Sequence, residues 1–423
     1  MKNGYLSAKL FHLFSISLLL SFQIVSCTQT TDPTLPIKTS EDAWREDIDF
    51  LSSELKTKHI DFLSLIPEEE FDKEINNIKA SAGVLENYEI FIRLEKLLAS
   101  IKVGHTSIRP GTAQKNYFLP ILTYEFSDGL YITHADQQYT NLLGKKILKV
   151  GGKDISIVKD SLAKIIAYEN AYHLKNFFAL TFSFAEGLRY FGFINSFTEA
   201  ELEIEGLGTV ILKPFEANYL TFFSSFTHIL SGKQTPYYLQ DESSYYWFSY
   251  LEENNTLYLK YNRCRNMNSK SFAVFAEEVR ECINSNDVEK FVLDVRNNSG
   301  GDLQVITPLS FIADSPINQP GKMFVIIGRG TYSAAFLNAI AFKQNTNTIL
   351  VGEPTGGKPN FYADGATFTL PNSGLIVSYC KGFFESQIPN PDALYPDYPV
   401  EVTSQDYING KDPVLQFILD FNQ

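Results

Sequence analysis

The sequence predicts an α/β fold, in which a helical segment and a β-rich insert precede an alternating strand–helix core. Three observations lead there. Residues 245–423 alternate strand-like runs with helical periodicity: TLYLKY (256–261), KFVLDVR (290–296), MFVII (323–327) and TILVG (348–352), with helical spacing over 269–284 and 331–344. Residues 41–110 carry apolar stripes at helical spacing. Residues 111–215 alternate apolar and polar side chains around turn signals. The 423 residues are enough for about three domains on a ~150-residue prior. A composition of 44% apolar and 20% charged residues argues against disorder.

In chain order, residues 1–26 read as a leader. Lys2 and Lys9 accompany an apolar run from Phe11 to Val25 that is too short and too interrupted for a span of ~20 residues. Ile24-Val25-Ser26-Cys27 resembles a bacterial lipobox, which implies cleavage before Cys27 and lipidation of its sulfur. The alternative is an ordinary secretory signal with a chance cysteine. The lipobox reading anchors the chain by lipid in the bacterial cell envelope, as an outer-membrane or periplasmic lipoprotein. Residues 27–40 are Thr- and Pro-rich and read as a tether.

Beyond the tether, Ser40 is placed to cap a helix whose first turn holds Glu41 and Asp42. Trp44, Ile48, Leu51 and Leu55 form its apolar stripe. Pro67 opens a second helix with Phe71, Ile75 and Ile78 on one face, and Asn87 a third with Phe91, Leu94, Leu97, Leu98 and Ile101. The β-rich segment starts with a hairpin signal at Asp128-Gly129. Residues 142–162, LLGKKILKVGGKDISIVKDSL, resemble the loop-to-helix part of a PDZ domain, a module that binds peptide termini by strand addition. A generic hairpin followed by a helix has nearly the same pattern.

Charge and cysteines exclude several functions. Lys plus Arg number 36 against 49 Asp plus Glu, a net charge of −13, which speaks against nucleic acid as a partner. Cys264, Cys282 and Cys380 are an odd set and give no disulfide framework. With no CxxC pair and no His/Cys cluster, neither a metal nor a cofactor is expected.

Four stretches carry chemistry. In FVLDVRNNSGGD (291–302), a strand ends in Asp294 and Arg296 before a turn with Gly300 and Gly301, where amides can converge on an anion. In GTYSAAFLNAIAF (330–342), Ser333 opens a small-residue helix, where free N–H groups favour developing negative charge. Capping alone would also account for Ser333 or Thr331. The Gly-rich loop VGEPTGGKPNFY (351–362) places Lys358 25 residues beyond Ser333. A lysine acts as general base only when burial lowers its pKa from ~10.4 toward ~7–8, and a solvated loop lysine does not. In KVGHTSIRP (102–110), His105 follows the third helix. Histidine is the commonest base for a serine nucleophile, and equally a common hydrogen-bonding residue at a helix end.

In this order the four stretches resemble the tail-specific (C-terminal-processing) serine peptidase family. The matching positions are Asp294, Arg296, Asn297, Asn298, Gly300 and Gly301; Thr331, Ser333 and Ala334; Gly352, Glu353, Thr355, Gly357 and Lys358; and Pro396-Asp397 with Val400. The resemblance implies a crotonase-like (ClpP/crotonase-type ββα) catalytic core over 245–423, an N-terminal helical segment over 41–110 and a PDZ-like β-rich insert over 111–215. It implies Ser333 as nucleophile and Lys358 as base, with amides of Gly300 or Gly301 and of Ala334 on the oxyanion. It also implies an envelope serine endopeptidase acting on peptides or unfolded proteins, including bonds near C-termini.

The chain departs from that pattern. Phe336 stands where relatives often have Glu, Tyr362 where the lysine's orienting Gln stands, Val103 where Asp precedes Gly-His-Thr, and Tyr395 where Glu precedes Pro-Asp. A tricorn-like branch uses Ser, His and Glu. In that scheme His105 is the base, and its supporting acid is not evident from the sequence. These departures keep a second function in play, a non-catalytic lipoprotein that binds peptides or scaffolds envelope proteins. A crotonase-type acyl-CoA enzyme fits poorly, since Ser333 would have no role.

Overall fold

The computed structural model describes residues 40–386, 388 and 392–422. The leader, Cys27 and all but the last residue of the tether lie outside them. Ser40 accepts a hydrogen bond from the amide of Ala43 and caps the helix Glu41–Lys58. Such a cap contributes ~1 kcal/mol. Helices Glu68–Ala80 and Asn87–Ser100 follow, the second opened by a reciprocal pair of bonds between Glu86 and Glu89. Every residue named in the three stripes is buried.

The hairpin Ile121–Phe126 and Gly129–Ala135 forms at Asp128-Gly129, with an irregularity between Leu122 and Thr123. It belongs to a seven-stranded sheet that continues through Lys146–Val150, Ala200–Ile204 and Gly208–Leu212, with Thr227–His228 at one edge. Two helices that the strand pattern did not announce, Ala171–Thr181 and Ala185–Tyr190, interrupt this segment. Their apolar residues, including Phe178, Leu180 and Leu188, join the core of the N-terminal helices, so helices and sheet share one apolar core.

The last segment is a six-stranded sheet. Tyr246–Leu251 runs antiparallel to Thr256–Tyr261, which is followed in parallel by Lys290–Asp294, Met323–Ile327, Thr348–Gly352 and the short edge Tyr398–Pro399. Alternate residues face opposite layers. Leu257, Leu259, Phe291, Leu293, Met323 and Val325 pack with helices Phe272–Ser285 and Ala334–Asn345. Tyr258, Val292, Phe324 and Ile326 pack with helix Pro413–Asp420. Both faces are covered, which explains why these strands read as continuous apolar runs.

One excursion ties the segments together. Residues 361–384 leave the parallel sheet as two antiparallel pairs, Phe361–Ala363 with Gly382–Phe384 and Ala366–Thr369 with Ile376–Tyr379. Ile376–Tyr379 also pairs with Ser107–Arg109. The strand that begins two residues after His105 is therefore hydrogen-bonded to the excursion from the C-terminal sheet, which carries His105 across to the end of the parallel strands.

Candidate active site

The candidate nucleophile Ser333 is placed by a strand-to-helix turn. Met323–Ile327 ends at Gly328, and five residues later Ser333 stands immediately before helix Ala334–Asn345. Ser333 has φ 53° and ψ −126°, a strained conformation for a residue with a Cβ, of order 1–3 kcal/mol. Its side chain makes no capping bond. The hydroxyl is thus presented outward on a sharp elbow, as in nucleophile-bearing strand–turn–helix motifs. The surroundings fix that turn. Thr331 Oγ1 donates to the carbonyl of Val295 and accepts from the amide of Gly328, while the amide of Tyr332 donates to the carbonyl of Asn298.

The Asp-Arg-Asn stretch is the scaffold of the facing Gly-Gly turn. Asp294 is fully buried. Burial alone would raise its pKa, but Arg296 and Lys260 outweigh that and bring it to about 2. Arg296 in turn makes two 2.9 Å bonds to Asp412. Asn298 donates to the carbonyl of Tyr261 and accepts from the amide of Gly300. Gly300 has φ 106°, and a Cβ there would stand 2.8 Å from Ser333 Cβ and 2.9 Å from the amide nitrogen of Ala334. The glycine keeps open the space beside the nucleophile. Of the amides expected to face an oxyanion, that of Gly300 is already bonded to Asn298. Those of Gly301 and Ala334 carry no hydrogen bond among the described residues.

The structure brings His105 to Ser333: Nε2 lies 3.2 Å from Oγ. Nδ1 of the same ring lies 2.7 Å from the hydroxyl of Tyr332, which donates at 2.7 Å to Glu169 Oε1. Sequence reasoning did not single out Glu169. It precedes helix Ala171–Thr181, whose cap Asn170 accepts from the amide of His173 and donates to the carbonyls of Thr355 and Asp392. Asn170 thereby clamps the start of this helix to the Gly-rich loop and sets Glu169 beneath Tyr332. The only local signal was an Asn preceding a helical run.

The electrostatics define the protonation states. Burial would raise the carboxyl pKa of Glu169, but His105, His173 and Tyr332 together hold it below the ordinary value. Burial lowers His173 to about 4, so this ring is neutral, and its Nδ1 accepts from the amide of Glu169. An ionised Glu169 accepts the hydrogen bond donated by the Tyr332 hydroxyl, which keeps its proton because burial and Glu169 raise its pKa well above the ordinary value. The Tyr332 oxygen is then free to accept from His105 Nδ1–H. That tautomer leaves the Nε2 lone pair facing Ser333. Gly104 completes the packing: a Cβ there would meet His173 and the Tyr332 hydroxyl at 2.5 Å.

Lys358 is near enough for its charge to act on His173, but no hydrogen bond joins it to Ser333 among the described residues. Its loop is anchored to the elbow by the amide of Gly357, which donates to the carbonyl of Thr331. Tyr362, where an orienting Gln would stand, instead faces Phe383 and His59 at ring distances of 4.8 and 6.0 Å. Phe336 packs on Gly357 and edge-on to Phe361. Asp397 accepts from the amide of Leu350 and from Lys343, a structural role. Among the described residues no three His, Cys, Asp or Glu side chains gather as a metal site would require.

Residues 311–379, which contain the elbow and the Gly-rich loop, match the model of peptidase family S41. A segment of 152 residues is 27% identical to carboxyl-terminal-processing peptidase 2, chloroplastic, of Arabidopsis thaliana. The match takes in 30% of this chain and 29% of that relative, so the chain spans under a third of its length. Two solved structures of mature CPAF share the fold. The one complexed with lactacystin has TM-score 0.61 at 13% identity, covering 90% of this chain and 98% of that one. The other has TM-score 0.60 at 13% identity, covering 89% and 96%. Residues 311–379, which hold the elbow serine and the Gly-rich loop, are thus similar to peptidase family S41, and the fold as a whole is shared with the two CPAF structures.

Proposed function

We propose that the chain is a serine endopeptidase that hydrolyses peptide bonds of peptides or unfolded proteins, including bonds near C-termini, through an acyl-enzyme on Ser333. The observation that carries this reading is the 3.2 Å approach of His105 Nε2 to Ser333 Oγ on a positive-φ elbow. Ser333 Oγ attacks the scissile carbonyl carbon while His105 Nε2 takes the hydroxyl proton. The carbonyl oxygen, now negative, is held by the amides of Ala334 and Gly301. Loss of one such donor typically costs ~3–4 kcal/mol of barrier. The imidazolium is oriented by Tyr332 and balanced by Glu169, and it returns its proton to the leaving amine. Water then repeats the sequence on the acyl-enzyme.

This assigns the base to His105 rather than Lys358, with Tyr332 and Glu169 in support. The parallel strands with their covering helices support a crotonase-like core. The seven-stranded sheet with helix Ile155–Leu162 supports a PDZ-like insert that presents peptide. The leader pattern supports envelope location and a membrane anchor at Cys27, and the net charge of −13 opposes nucleic acid as a partner.

Fluorophosphonate labelling of the chain from Cys27 onward, beside Ser333→Ala and His105→Gln, tests the reading. Labelling of the parent at Ser333, absent in Ser333→Ala and slowed at least a hundredfold in His105→Gln, is expected. A parent that does not label would favour the peptide-binding alternative.

A further inference from the structure

The catalytic imidazole sits inside a run of near-parallel rings. Outward from His105, Phe361 lies at 5.8 Å and 19°, and Phe384 lies on Phe361 at 5.5 Å and 16°. Inward, Tyr332 lies at 4.7 Å and 23° and His173 lies on Tyr332 at 4.4 Å and 28°. These are offset-stacked geometries. The inner members are buried, with Phe361 only 2% exposed, whereas Phe384 at the outer end is 37% exposed. Phe361 and Phe384 are directly paired across two short strands, so they share one face. Ser386 fixes that strand pair by bonds to Asn360 Oδ1 and the carbonyl of Pro359. Phe336 supports Phe361 from the side at 6.1 Å.

Two consequences follow from this placement. An imidazole becomes a cation as it takes the serine proton, and a cation on an aromatic face is favoured. The Phe361 ring therefore acts most strongly in the transition state, while its bulk prevents the His105 ring from turning away from Ser333. Phe384 presents aromatic surface within ~11 Å of His105, the reach of about three extended residues.

We propose that Phe361 is a positioning residue for His105, and that the exposed face of Phe384 is a subsite for an apolar or aromatic substrate side chain within about three residues of the scissile bond. This rests on the Ser333–His105 reading. The other groups that face His105 are Glu169, with Oε1 3.6 Å from Nδ1, Tyr332, and Ser333; His173 lies behind Tyr332. Cys380, whose thiol burial pushes up to about 12, and Lys358 act on this cluster at longer range. None of them is altered by a change at Phe361.

The test uses the chain from Cys27 onward and fluorogenic peptides that differ only in carrying Leu, Phe or Ser near the scissile bond. Phe361→Met keeps volume and removes the ring. It is expected to lower kcat about tenfold with KM little changed, and to move the acidic limb of the kcat/KM profile to lower pH. Phe384→Ser is expected to reduce the preference for Leu or Phe over Ser by about tenfold, mainly through KM. An unmoved pH profile in Phe361→Met, whatever its melting temperature, overturns the positioning role. Should Phe361→Met fail to fold, Phe361→Leu gives the same readout. An unchanged side-chain preference in Phe384→Ser overturns the subsite. Parent-level turnover by His105→Gln instead sinks the underlying base assignment, which separates the two failures.

Discussion

His105 and Glu169 face each other without touching: Nδ1 and Oε1 are 3.6 Å apart, and the hydroxyl of Tyr332 bridges them at 2.7 Å on either side. With His105 as the proposed base, the acid that balances the imidazolium acts largely through a phenol. Tyr332→Phe removes the bridge and keeps the ring stack. It should lower kcat by one to two orders of magnitude, about 10- to 100-fold, because the tautomer of His105 is no longer enforced. It also leaves Glu169 short of a donor, a penalty of ~1–3 kcal/mol in stability. Steady-state kinetics and a melting curve check both. Parent kinetics in Tyr332→Phe would remove the phenol from the pathway.

The identity of the base is decided by a pair of variants. Lys358→Arg keeps a cation but cannot give up a proton at ordinary pH. With His105 as base, Lys358→Arg should retain most turnover and His105→Gln should lose it. The opposite result would restore the lysine that the 25-residue spacing favours. That spacing was legible in the sequence, but the group that would orient the lysine was not there to be read. Tyr362 occupies its position and packs toward Phe383 instead.

Much of the scaffold could be read in one dimension because each element carries its own periodicity. The stripes of Trp44 to Leu55 and Phe91 to Ile101, and the apolar runs around Val292 and Val325, all lie where the pattern put them. Ser333 was legible as a small-residue helix start, and His105 as a histidine past a helix. Glu169 was not, because it is 163 residues from Tyr332 in sequence and no local motif marks it. Long-range contacts, the pairing of Ser107–Arg109 with Ile376–Tyr379 and the bonds of Asn170 to Thr355 and Asp392, bring the parts of the site together. The ring stack was hidden for the same reason: Phe336 and Tyr362 looked like lost polar groups, and their packing partners lie on distant strands.

The elbow makes a prediction about strain. At φ 53° a serine or alanine is strained and a glycine is not. Ser333→Ala and Ser333→Gly should both be inactive, with the glycine variant more stable by ~1 kcal/mol. Gly300→Ala should fold less well and lose labelling, since its methyl would press on Ser333 and on the Ala334 amide. A melting temperature for Ser333→Gly below that of Ser333→Ala would argue against the elbow geometry.

The proposed membrane attachment rests on Cys27, a residue outside the described part of the chain. Cys27→Ala should shift the protein from the membrane to the soluble fraction and remove acyl mass from the N-terminal peptide. Unchanged fractionation together with a peptide that never carried acyl mass would leave an ordinary secreted protein.

The last prediction concerns pH and has two opposing parts. His173 and His228 are each lowered to about 4 by burial, against an ordinary value near 6.5. Between those values the unfolded chain binds the proton and the folded chain does not. Their contribution is therefore complete above pH ~6.5 and is lost as pH falls toward 4, by up to ~3 kcal/mol for the fully buried His173. Glu186 runs the other way. Burial raises it to about 7 against bonds from Asn116 and Tyr117 that lower it, so the folded chain keeps a proton that the unfolded chain has released. Its contribution is complete below pH ~4.5 and fades as pH rises through 7. The parent's stability should thus vary less between pH 5 and 7 than either group alone would dictate. Chemical denaturation at pH 5 and pH 8 separates them. His228→Gln, which keeps a partner for the Tyr407 hydroxyl, should lose less stability on acidification than the parent. Glu186→Gln should compare best with the parent at pH 8 and worst at pH 5. If both variants track the parent at every pH, these buried groups are not what couples its stability to protons.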